Sequence, residues 1–237
     1  MANFATTRWT LVLDARGPLT PKAQEALAVL CDLYWYPLYA YLRRRGHSAD
    51  DAQDLTQGFF TRLLEKGSLP AADRSRGRFR SFLLASLDHY VSNERDRQGA
   101  QKRGGGTVTI ALDGCAAEER YRLEPADRWT PERIFDRNWA LTVLDRVMSR
   151  LTKELQAEGR GELFARLKPC LIGEPDHLPY QVLAEQLGTT EGAVKVAIHR
   201  LRRRFRERLH DEVAQTVRDV DDVDLELQHL IDALRHE

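Results

Sequence analysis

Long apolar runs are missing from this chain, and so are paired cysteines, closely spaced histidines and any net charge. No stretch approaches the roughly 18 consecutive apolar residues that mark a membrane-spanning helix, so no membrane partner is expected. Three cysteines, Cys31, Cys115 and Cys170, stand far apart without a C-x-x-C pair, which speaks against a disulfide framework and for reduced thiols in a cytosol. The opening "MANFATTRWTLVLDARG" lacks a basic segment followed by an apolar one, so a soluble, cytoplasmic protein is expected. The seven histidines form no H-x-x-x-H or H-x-H pair, there is no G-x-S-x-G elbow, and no glycine-rich loop follows a strand. Neither an enzyme nor a cofactor or metal site is therefore expected.

The absence of net charge conceals a segregation. The 36 Lys and Arg balance 36 Asp and Glu, so attraction to a polyanion has to come from a local patch. Lys195 to Leu209 supplies one: Lys195, Arg200, Arg202, Arg203, Arg204, Arg206 and Arg208 stand against Glu207 alone. From Asp211 to Glu237 the balance reverses, with nine acids against Arg218 and Arg235.

Helical periodicity runs through most of the chain and predicts an all-α fold. Leu27, Leu30, Leu33, Tyr34, Leu38, Tyr41 and Leu42 recur every three to four residues between Thr20 and Arg45, with Pro37 expected to kink that helix. Ser48 and Asp51 resemble a capping box for a second helix that ends near Gly67, with Ala52, Leu55, Phe59, Phe60, Leu63 and Leu64 on its apolar face. A third helix follows from Arg78, burying Phe79, Phe82, Leu83, Leu87, Tyr90 and Val91. Residues 104–131, with a glycine triplet, two prolines and no period, read as a linker. The expected division is residues 1–103, the linker 104–131, a second helical domain 132–212 and an acidic helical extension 213–237.

Within "LPYQVLAEQLGTTEGAVKVAIHRLRRRF", Ala184, Gly188 and Val194 fall at spacings of four and six. A helix-turn-helix needs a small residue where its helices touch, a glycine in the turn, and a buried aliphatic in the second helix. Val194, Ile198, Leu201, Phe205 and Leu209 then form a buried stripe, leaving Lys195, His199, Arg200, Arg202 and Arg203 outward, and Thr190 can cap the helix start. Such a helix presents its first turns to base edges in a major groove and later arginines to phosphates. A second basic region runs from Arg74 to Arg103, beside an acidic helix start at Asp50, Asp51 and Asp54.

Three segments, in order, resemble bacterial sigma factors of the extracytoplasmic-function type. "DDAQDLTQGFFTRLLEK" is similar to that family's core-polymerase-binding helix, "GRFRSFLLASLDHYVSNERDR" to the helix that reads the −10 element, and "YQVLAEQLGTTEGAVKVAIHRLRRRFRERL" to the −35-reading helix-turn-helix. Gly58 stands where the family often has Glu, and Asp88-His89 where many members have Arg-Asn. The resemblance implies two helical domains, the sigma region 2 bundle and the region 4 helix-turn-helix. It implies core RNA polymerase as partner, through the clamp helices of the largest subunit and the flap of the second-largest, and promoter DNA as ligand. It assigns Asp51, Asp54 and Gln57 to the polymerase; Asp88, His89, Ser92, Asn93, Arg95 and Arg97 to the −10 element; and Thr190, Lys195, Val196, His199, Arg200, Arg202 and Arg203 to the −35 element. An anti-sigma protein, a kinase, or the acidic tail folding over the basic helix would be the means of control. The rival expectation is a helix-turn-helix regulator that binds duplex operator DNA without polymerase.

Overall fold

The computed structural model describes Arg8 and residues 20–66, 79–100, 114–124, 129–172, 178–217, 219 and 221–235. The described residues are helical and contain no strand, as the periodicity predicts. The helices are α1 (Pro21–Arg44), α2 (Ala49–Lys66), α3 (Phe79–Ala100), α4 (Gly114–Arg122), α5 (Pro131–Ala157), α6 (Gly161–Ile172), α7 (Tyr180–Gln186), α8 (Glu191–Ala214) and α9 (Asp221–Arg235). No helix among the described residues is long and apolar enough to cross a membrane.

Two compact units form, divided differently from the sequence expectation. One comprises Met1–Thr142 together with Val213–Glu237, the other Val143–Glu212. The stretches expected as linker, 104–131, and as acidic helical extension, 213–237, belong to the first unit. In the expected linker, α4 is tied to α1: Glu118 accepts from the Tyr39 hydroxyl at 2.6 Å and from Arg43 Nε and Nη2 at 3.0 Å. The Arg120 guanidinium also lies 3.9 Å from the Tyr36 ring centroid. Aperiodic composition hid this helix because polar and cationic contacts to tyrosines, rather than an apolar stripe, hold it. The glycine triplet and residues 101–113 lie outside the described residues.

α1 starts with Thr20 as N-cap, its hydroxyl accepting from the Ala23 amide at 3.3 Å, and Pro21 in the first turn, where a missing N–H costs nothing. It continues through Pro37 and buries the whole stripe the periodicity marked. Tyr34 is its centre, edge-on to Phe79 at 5.1 Å and stacked with Phe135 at 6.1 Å. α2 begins as its capping box foretells: the Ser48 hydroxyl accepts from the Asp51 amide at 3.0 Å and donates to the Asp51 carboxylate at 2.7 Å. Gly58 lets α2 approach α3, because a Cβ there would intrude on the Tyr90 hydroxyl. Glycine at this position thus has a packing cause.

The tail closes the first unit. The Thr216 carbonyl accepts from the Phe79 amide at 3.1 Å, satisfying a donor at the start of α3. Next along α3, Arg80 is buried and donates from Nε and Nη2 to Glu226 of α9 at 2.7 and 3.3 Å, and from Nη1 to Asp136 of α5, with its guanidinium 5.2 Å from the Trp139 ring centroid. Val223, Glu226 and Leu230 are the buried residues of α9. The tail's buried carboxylate is therefore spent on α3. Leu227 and Leu234 are partly covered and Ile231 is exposed.

Two outcomes follow. Glu226→Ala leaves Arg80 buried with one carboxylate fewer, and should destabilise the first unit by about 3 kcal/mol in denaturant titration. Gly58→Ala should lower stability despite alanine's better helix propensity, and adding Tyr90→Phe, which removes the obstructing hydroxyl, should restore it above the single variant.

Candidate nucleic-acid interface

The second unit is organised by a core of Leu151, Leu155, Phe164, Leu167, Cys170, Leu183, Ala184, Val194, Ile198 and Leu201. Ala184 and Val194 meet in it as the spacing requires. Between them Gly188 takes φ +61°, and the chain leaves α7 by a paired-bond turn: the Gly188 amide donates to the Glu185 carbonyl at 3.2 Å and the Thr189 amide to the Ala184 carbonyl at 2.9 Å. Only glycine takes that left-handed conformation without strain. Thr190 then caps α8, accepting from the Ala193 amide at 3.2 Å.

With Val194, Ile198 and Leu201 buried, Lys195, Val196, His199, Arg200, Arg202 and Arg203 are all exposed. At helical spacing Lys195, Val196, His199, Arg200 and Arg203 form one stripe. Its charges are not equivalent. Lys195 pairs with Glu191 at 2.6 Å, and that hydrogen bond raises its pKa above the ordinary lysine value. Arg203 pairs with Glu207 at 2.9 Å, and Arg202 donates to the Cys170 carbonyl at 2.9 Å. Arg200 and Arg206 have no partner among the described residues, and Arg206 is a candidate that the sequence reading did not single out.

Two of the arginines counted in the basic patch have a structural task. Arg204 donates to Glu154 at 2.9 Å and to Glu158 at 2.6 Å, and Arg208 donates to Glu154 at 2.9 Å. Partial burial pushes the Glu154 carboxyl up, but hydrogen bonds from Arg208, Arg204 and Arg150 outweigh it and hold the carboxyl below its ordinary range. This clamp ties α8 to Glu154 and Glu158, so the basic stretch divides into Arg204 and Arg208, bound within the second unit, and Lys195, Arg200, Arg202, Arg203 and Arg206, which are exposed. The clue in the sequence is Glu154 and Glu158, four residues apart, one in the last turn of α5 and one just past its end.

In the first unit, His89, Ser92, Asn93, Arg95 and Arg97 are exposed along α3, with Arg97 paired to Glu94 at 3.0 Å. His89, Ser92 and Asn93 lie on one stripe. Asp88 is committed elsewhere: it pairs with Arg45 and accepts from the Tyr41 hydroxyl at 3.2 Å. Phe79 and Phe82 are buried and unavailable for stacking on a base, while Tyr90 is half-buried. On α2, Asp51 and Asp54 are exposed, but Gln57 is buried at 9% exposure, so it does not share their surface as expected. Asp51 belongs to the cap at Ser48, leaving Asp54 without a partner among the described residues.

No family model, curated protein or solved structure matches this chain.

Because the Glu154 carboxyl titrates lower folded than unfolded, its stabilisation is present above the unfolded pKa and is lost as pH falls through the folded one. Thermal unfolding of the wild-type chain should lose stability below about pH 4.5. Glu154→Gln should be less stable by about 1–2 kcal/mol at pH 7 and show a shallower acid-side loss.

Proposed function

We propose that this chain is a sigma factor of the extracytoplasmic-function type, which joins core RNA polymerase and directs it to promoters. The observation that carries the reading is the helix-turn-helix of the second unit. It has a glycine turn, a capped second helix and an outward stripe of Lys195, Val196, His199, Arg200 and Arg203. Those groups suit duplex DNA: donors and an apolar side chain for base edges, cations for phosphate.

A repressor would need no more than that. The exposed polar stripe of α3 favours an initiation factor, because opening a promoter without ATP requires capturing bases as they unpair. Unstacking costs a few kcal/mol, which stacking and edge hydrogen bonds in a protein site offset. On this reading His89, Ser92 and Asn93 take up bases of the −10 element, and Arg95 meets the backbone. The exposed carboxylates of Asp51 and Asp54 face the polymerase clamp helices, where they steer a basic partner into register. Gln57 and Asp88 are left out of these surfaces by their burial and pairing.

Run-off transcription with sigma-free core polymerase and promoter fragments from the source genome tests this. Specific transcripts are expected, and replacing Lys195 and Arg200 together by alanine should abolish them. Arg200→Ala alone should weaken promoter binding by more than about 1 kcal/mol. Tight duplex binding as a dimer without polymerase, and no initiation, would make the protein a conventional regulator instead.

A further inference from the structure

We infer that Val196 and Arg200 read two bases of the bound duplex about two base pairs apart, Val196 against the 5-methyl group of a thymine and Arg200 on a guanine. The inference rests on the reading of α8 as a major-groove helix and deepens it.

Val196 is the anomaly that suggests it. The aliphatic residues on either side, Val194 and Ile198, are 1% and 2% exposed, whereas Val196 is 50% exposed in the middle of a charged stripe. No rotation of α8 could bury it without exposing the core pair. The helix is also bare around it. Gly192, one turn earlier, is exposed, and a Cβ there would approach nothing closer than the Thr190 hydroxyl at 3.9 Å. Ala193 is exposed beside it, and the long side chains of Glu191 and Lys195 are drawn onto each other at 2.6 Å. The first turns of α8 therefore offer a low apolar floor on which a flat surface can rest directly on Val196.

Base chemistry selects which surface. A valine has neither donor nor acceptor, so it would leave the polar edge of adenine, guanine or cytosine unsatisfied where it pressed against it. Thymine alone presents a methyl group in the major groove. Arg200 stands one turn further along the same stripe and, unlike Lys195, Arg202 and Arg203, has no partner among the described residues. Its free guanidinium fork matches the paired acceptors O6 and N7 of guanine. Four residues of helix advance about 6 Å, close to two base-pair rises of about 3.4 Å each, which sets the separation.

The test uses the full-length chain, alone and with sigma-free core polymerase, to enrich bound duplexes from a random pool. The recovered site is expected to hold a thymine and a guanine about two base pairs apart. Replacing that thymine by deoxyuridine, which deletes only the methyl group, should weaken wild-type binding about threefold to tenfold. Val196→Ala should bind the thymine site as weakly as wild type binds the deoxyuridine site, and should not discriminate between them. Val196→Thr, which keeps one methyl, should retain part of the discrimination. Arg200→Ala should lose preference at the guanine and keep the deoxyuridine penalty. A wild-type chain that binds its selected site with no deoxyuridine penalty, or Val196→Ala retaining that penalty in full, would overturn the assignment while leaving duplex binding intact. If neither the chain nor its complex with polymerase enriches any duplex, both the assignment and the underlying reading fail.

Discussion

The arrangement of the second unit depends on one carboxylate. Glu154 lies where three guanidinium groups converge, from Arg150 one turn along its own helix and from Arg204 and Arg208 on α8. Apolar contact at Val194, Ile198 and Leu201 holds α8 down but is tolerant of sliding, because hydrophobic burial has no direction. Charge-assisted bonds to a guanidinium do have direction. They fix the rotation of α8 about its axis, and that rotation decides which side chains face outward. Two of the seven cations on the basic stretch, Arg204 and Arg208, are thus held by acids of the same unit that orient the rest.

A comparable logic operates in the first unit, at higher stakes. Arg80 is buried, and a buried guanidinium without carboxylates would be strongly destabilising. Asp136 and Glu226 come from helices distant in sequence, so the pair specifies how α3, α5 and α9 come together as well as adding attraction. α3 carries both this buried arginine and the exposed His89, Ser92 and Asn93. The exposed polar stripe of α3 is thus displayed by a helix whose opposite face is anchored by α9.

Much of this was legible in the sequence wherever one physical rule governed alone. Periodicity located the helices, and the spacing of Ala184, Gly188 and Val194 located the turn, because sterics at Gly188 leave few alternatives. Exposure of Lys195, His199 and Arg200 followed from the same periodicity. What escaped was the pairing of charges across long separations. Nothing local distinguishes Arg204, clamped to Glu154, from Arg206, which is displayed. Likewise Gln57 looked polar and therefore outward, yet it is buried on α2 next to Thr56, whose hydroxyl donates to the Ala52 carbonyl at 2.7 Å. Asp88 looked free because its partners, Tyr41 and Arg45, lie a helix away. The helix α4 escaped for a related reason: tyrosine hydroxyls and a salt bridge leave no period.

The discontinuity of the first unit bears on how the protein is made. The amide of Phe79 finds its acceptor at Thr216, and Arg80 finds Glu226 146 residues later in the chain. At ribosomal speeds of about 5–20 residues per second, α3 emerges on the order of ten seconds before α9 exists. For that interval Arg80 has no Glu226, and the apolar surface that Val223 and Leu230 later help to cover stands open. The second unit, by contrast, is one uninterrupted segment and can be complete before the first is. The order of maturation therefore inverts the order of translation, and a ribosome that stops early releases a chain with its helix-turn-helix formed and its first unit unfinished.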